Sequence, residues 1–153
     1  MRRILLALVL CFINSSLYAQ KITHSFNGVP LSEALKTIET SNRTFTINFV
    51  YDELEDFTVT TNVVKQTVPD AIRQIIGFYP IRMTIDSTDI FVDCIHKTER
   101  KLIGKVVDEK GQPLEFANIT LLNPSDSTFI TGGVSNVAGD FVIPCDVTPA
   151  IVK

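Results

Sequence analysis

The side chains of this 153-residue chain that could do chemistry fall in a few short stretches. "YDELEDF", 51–57, sets Asp52, Glu53, Glu55 and Asp56 close enough together to hold a cation or attract a basic partner. In "VVDEKGQPLEFANITLL", 106–122, Asp108 and Glu109 stand beside Lys110, a juxtaposition that in a cleft could serve proton transfer. His24 and His96 are possible metal ligands, Ser125, Ser127 and Ser135 possible nucleophiles, and the glycines of "ITGGVSNVAGD", 130–140, a possible phosphate cradle.

Each stretch lacks the partners its chemistry needs. No glycine accompanies the acidic run at calcium-loop spacing, so it reads as a solvated connection between two folded repeats. Neither histidine has a second ligand at metal spacing, and no serine sits in a glycine-flanked nucleophile elbow, so the serines read as turn formers. "ITGGVSNVAGD" follows neither a phosphate-loop nor a dinucleotide spacing, and no helix pattern comes after it; it reads as a hairpin. Asp108 to Lys110, with Gly111 and Pro113, separate two runs that alternate apolar and polar residues, the mark of a turn. The Asn-x-Thr triplets at Asn42 and Asn118 would accept glycans only in a eukaryotic secretory pathway. The expectation is therefore a non-enzyme with no catalytic residue, no metal site and no cofactor, whose partner-binding residues stay open.

The elements around these stretches begin with an export signal. "MRRILLALVLCFINSSLYAQ" has two arginines, a short apolar run and a small-residue exit, the layout of a signal peptide over 1–19 with cleavage after Ala19. The apolar run is shorter than the ~20 residues a membrane-spanning helix needs. Leu10 is too large for the position before Cys11 in a lipoprotein cleavage box, so lipidation is not expected. Removing Arg2 and Arg3 moves the net charge from −3 to −5, which leaves no basic surface for nucleic acid. Cys94 and Cys145 remain; an oxidising compartment permits a bridge, although each lies in an apolar strand-like run where a buried thiol is the commoner state.

Over 22–95 the apolar pattern switches twice between period two and period 3.6. Leu31, Ala34, Leu35 and Ile38 form one helix face behind Pro30; Ile72, Ile75 and Ile76 form another behind Pro69, with Gly77 as a stop. Alternating strands flank both helices: "KITHSF" and 57–63 before them, 45–49 and 81–85 after them, and 90–95 closing the unit. The pattern predicts an α+β domain of two strand–helix–strand repeats, with both helices on one face of a small sheet. The carriers "FNGVPLSEALKTI", "FTINFVYDEL", "VVKQTVPDAIRQII" and "DIFVDCI" resemble the secretin and TonB short N-terminal domain, a periplasmic module.

Beyond a charged connection at 97–101, no helical period appears. Strand runs at 102–107, 116–122, 128–134 and 140–144, separated by polar, glycine and proline turns, predict an all-β sandwich with hairpin or Greek-key connections. "GKVVDEKGQPLEFANITLL" with "GGVSNVAGDFVI" is similar to the carboxypeptidase-regulatory-like domain, a transthyretin-type sandwich. Where that family usually has Thr-Asp, this chain has Ser135-Asn136, and asparagine can still cap the turn. The family's last strands are missing, so an incomplete sandwich is expected.

The domain order expected is a signal peptide at 1–19, a short TonB-type domain at 20–96, a linker at 97–101 and a truncated regulatory-like sandwich at 102–153. This order resembles the start of a Gram-negative TonB-dependent outer-membrane receptor. The resemblance implies a periplasmic signalling module linked to nutrient uptake, with an inner-membrane anti-sigma regulator and the TonB system as partners through the whole receptor. It also implies attachment to the outer membrane only through a C-terminal barrel. Two other readings stay open: a secreted two-module binding or scaffold protein, and an accessory domain of a secreted metallocarboxypeptidase.

Overall fold

The computed structural model describes residues 20–95, 100–146 and 150–153. The expected signal peptide, His96 and most of the expected linker lie outside them. The fold is α+β, in two lobes joined through 96–99.

The first lobe contains β1 (Ile22–Pro30), α1 (Leu31–Thr40), β2 (Thr46–Phe49), α2 (Tyr51–Leu54), β3 (Thr58–Gln66), α3 (Val68–Ile76), β4 (Ile81–Asp86) and β5 (Asp89–Cys94). Both long helices start and stop where their local chemistry directs. Pro30 brings the chain into α1, and the Leu31 N–H, which has no partner within the helix, donates to the Phe57 carbonyl at 2.6 Å. At the other end Asn42 donates from Nδ2 to the Ile38 and Glu39 carbonyls, while its Oδ1 accepts from the Thr44 and Phe45 N–H groups. That side chain is consumed in terminating the helix. Thr67 caps α3 by accepting from the Asp70 N–H, and Gly77, at φ +56°, closes it with its N–H on the Arg73 carbonyl.

The apolar stripes of both helices are core. Leu31, Ala34, Leu35, Ile38, Ile72, Ile75 and Ile76 are all buried in one cluster with strand residues such as Phe26, Val63 and Ile90. The strands do not form the single sheet expected from the sequence. β1 pairs antiparallel with β3, while β2, β5 and β4 form a separate three-stranded sheet in which β2 runs parallel to β5. The strands that precede the helices thus share one sheet, and those that follow them share the other. α1 touches strands of both sheets, so its apolar surface is covered from two directions rather than resting on one face.

The second lobe contains β6 (Lys101–Lys105), β7 (Asn118–Leu122), β8 (Phe129–Val134), β9 (Asp140–Pro144) and β10 (Ile151–Val152). Lys101, expected in the linker, is already in β6 and pairs with Pro144. Two small sheets, β6–β9 and β10–β7–β8, enclose Ile119, Leu121, Phe141 and Ile143. The expected hairpin at 130–140 is not one: β8 pairs with β7 and β9 with β6, so the turn between them crosses from one sheet to the other. The reason is visible at Gly133, where an added Cβ would stand 2.9 Å from the Ile143 side chain. β8 and β9 face each other across the core rather than side by side. The stretch at 108–112 is a closed turn, as expected, and it too leads from one sheet to the other. Asp108 Oδ1 accepts from the Lys110 and Gln112 N–H groups at 2.8 Å, and Gly111 takes φ +78°.

The core placement of Leu35 predicts that Leu35→Asp abolishes the cooperative unfolding transition of the first lobe, because a buried charge without a partner has no stable place there. Circular dichroism during urea titration checks this, and a folded, soluble variant would overturn the assignment. Gly139 has φ +79°, and a Cβ there would lie 2.5 Å from the Val106 carbonyl oxygen. Gly139→Ala is expected to lower second-lobe stability by at least ~1 kcal/mol, read as a shift of the denaturation midpoint.

Candidate interaction surface

Among the described residues, the side chains singled out for chemistry do not gather into one site. His24 is exposed on β1 with its ring 4.6 Å from that of Phe26. Ser125 and Ser127 stand in the 123–128 turn, whose organiser is Asn123: its Oδ1 accepts from the Ser125 N–H and its carbonyl from the Ser127 N–H. Among the described residues no three His, Cys, Asp or Glu side chains gather as a metal site would require. Neither Cys94 nor Cys145 is in a disulfide, and Cys94 Sγ donates to the Glu53 carbonyl at 3.5 Å.

The acidic stretch 51–57 is more structural than its composition suggests. It forms the one-turn α2, anchored by buried Leu54 and Phe57. Tyr51 donates to Glu33 Oε1 at 2.6 Å, and this bond to a carboxylate holds the phenol above its ordinary pKa. Asp56 takes Lys101 of the second lobe at 2.8 Å, and the same ammonium donates to the Glu53 carbonyl. The basic partner that this run suggested is therefore supplied from within the chain, at least for Asp56. A partly exposed pair of this kind contributes about 1 kcal/mol or less.

Two residues that the sequence placed in ordinary turns link elements: Ser135, which is buried, and Asn136, which is half-buried. Ser135 is fully buried; its hydroxyl donates to the Leu114 carbonyl and accepts from the Ala117 N–H, stitching the end of β8 to the approach to β7. Asn136 caps the turn after β8 as expected, with Oδ1 accepting from the Ala138 and Asp140 N–H groups at 2.9 Å. Its Nδ2 reaches the first lobe and donates to the Thr58 carbonyl and the Tyr79 hydroxyl, both at 3.1 Å. The sequence signal for this was that Ser135-Asn136 stands where the regulatory-like pattern has Thr-Asp.

A cleft of about 200 Å³ opens beside this contact, between α3, β3 and the turns of the second lobe. Val59, Ile75 and Val134 are among its walls, and Phe78 and Phe116, one from each lobe and both half exposed or more, meet edge to face at 5.6 Å.

The strand edges of the first lobe differ in how they are guarded. On β2, the Ile47 N–H donates outward to the Glu39 carboxylate at 3.4 Å. On β3, Gln74 Nε2 donates to the Asn62 carbonyl at 3.0 Å, and Asn136 covers Thr58. The outer strand β4 lies along an open groove lined by Arg73, Ile76, Ile81, Met83 and Ile85. The Ile95 N–H donates to the Pro80 carbonyl, so even-numbered residues of β4 turn their backbone toward β5 and Ile81, Met83 and Ile85 turn theirs outward, where the Ile81 N–H is taken by the Tyr79 carbonyl at 2.7 Å. That is the geometry for adding a strand.

Tyr79 is buried at the lobe contact, its ring 5.0 Å from that of Phe57, and burial raises its phenol pKa. The unfolded chain therefore releases this proton first. The contribution to stability is whole below about pH 10 and is lost as pH rises through the folded value. Thermal melts on either side of pH 10 are expected to show a steeper alkaline fall in wild type than in Tyr79→Phe; equal slopes would contradict it. Comparisons of this chain with family models, with curated proteins and with solved structures found no match.

Proposed function

We propose that the chain is the periplasmic N-terminal portion of a TonB-dependent outer-membrane receptor, a signalling and interaction module linked to nutrient uptake. The observation that carries the reading is the order of its parts. A leader-like segment comes first, then a double strand–helix–strand unit, then a two-sheet β lobe bearing "VVDEKGQPLEFANITLL". The resemblances of the two units to periplasmic and regulatory-like domains support the same assignment.

In this function the first lobe meets an inner-membrane anti-sigma regulator. The contact is by strand addition on β4, because that edge presents outward backbone groups next to apolar side chains while β2 and β3 are occupied by Glu39, Gln74 and Asn136. An added strand pairs with the outward backbone groups of Met83 and Ile85 and the Ile81 carbonyl, the Ile81 N–H being held by Tyr79, and sets alternate side chains against Ile76 and Met83.

Pull-down of the regulator's periplasmic region by this chain is expected to succeed with wild type and to fail with Met83→Pro. That substitution removes an outward N–H without breaking a β4–β5 bond. Circular dichroism confirms that the variant folds. No capture by wild type would remove the signalling function, and capture by both proteins would move the contact away from β4.

A further inference from the structure

We propose that the Asn136 carboxamide is an orientation latch: it locks the second lobe onto the first and thereby closes the Thr58 end of the β3 edge. The inference does not depend on the receptor assignment. It rests on how one amide group is divided. The oxygen is spent inside the second lobe, on the Ala138 and Asp140 N–H groups, and so fixes the side chain's direction. The nitrogen is spent on the first lobe, on the Thr58 carbonyl and the Tyr79 oxygen.

The receiving side is equally organised. The Tyr79 hydroxyl donates to the Thr58 carbonyl at 2.8 Å, so its own proton is used and it meets Asn136 as an acceptor. Both groups that face Nδ2 therefore require a donor. An aspartate here could keep the turn but could not satisfy them, because a carboxylate only accepts. The Thr-Asp pair of the regulatory-like pattern would thus form the same turn without the latch. The neighbouring contacts are weaker or less directional: the Thr58 hydroxyl reaches Asp140 at 3.4 Å, and Lys101 pairs with the partly exposed Asp56. Val142 supplies apolar contact beside them, packing into the first lobe's core. Apolar contact favours closure without selecting one angle; the divided amide selects it.

The latch defines two arrangements. Closed, as here, the second lobe covers Thr58 and Tyr79 and buries its own Val142 against the first lobe. Open, these groups meet solvent, and the Thr58 carbonyl keeps its bond from the Tyr79 hydroxyl but offers the lone pair that Asn136 leaves to another strand. Each lobe keeps its own core in both, since Leu35 and Ile72 in one and Leu121 and Ile143 in the other lie within their own lobes.

Asn136→Asp in the full chain tests this by hydrogen exchange with mass spectrometry, together with small-angle scattering. Exchange across 57–61 is expected to rise about tenfold, the factor implied by losing one or two such bonds. The maximum dimension should lengthen, while peptides from β7 and β8 keep their protection. Unchanged exchange at 57–61 with unchanged scattering would overturn the latch. If β7 and β8 also lose protection, Tyr79→Phe decides, because it leaves the second lobe's sequence intact. A rise at 57–61 alone in that variant supports the proposal, and wild-type exchange there overturns it.

Discussion

The double burial of β9 is the constraint on which the arrangement of this protein depends. A strand sends successive side chains to opposite faces, so a strand at the surface alternates buried and exposed residues. In β9, Phe141, Val142 and Ile143 are all buried. Phe141 and Ile143 belong to the second lobe's core, and Val142 belongs to the first lobe's. One strand therefore completes two apolar clusters. The lobes share hydrophobic surface rather than hanging from a tether, and the polar contacts of Asn136, Asp140 and Lys101 are arranged around that shared surface.

The first lobe solves a related problem with its helices. Each repeat alone has one short helix and too little sheet to bury it. Pairing β1 with β3 and β2 with β5 interleaves the repeats, so neither can form its sheets without the other. The parallel β2–β5 pair joins the end of the first repeat to the end of the lobe. Two small sheets in place of one also multiply exposed edges, and the structure blunts several of them. Glu39 on β2 and Gln74 on β3 place polar side chains on backbone groups that would otherwise recruit another chain. β4 lies instead along the open groove.

Local chemistry was readable because it is written within a few residues. The helix stripes at 31–38 and 72–76 carried their own period, and Pro30, Pro69 and Gly77 marked boundaries close to those observed. Asp108 organises its turn through bonds to residues two and four positions on, so the stretch could be recognised as a turn without any knowledge of the rest. The one-turn α2 was too short to show a period, and β10 too short to show alternation. The hairpin expected at 130–140 failed for another reason: a tight turn brings two strands together but does not say whether they pair or face each other across a core. Gly133 against Ile143 decided that.

What the sequence determined by itself, then, was the α+β class, the type and place of most elements, and which residues are core, since each follows from periodicity or from side chains acting on nearby backbone. Only the tertiary structure decided which strands share a sheet, that Val142 serves the other lobe, and that Asn136 donates to Thr58 and Tyr79, which lie 78 and 57 residues away. No local pattern encodes a bond across that separation. It exists because the apolar faces of two lobes must be covered, and covering them brings an otherwise ordinary turn residue against a half-buried carbonyl and a buried phenol.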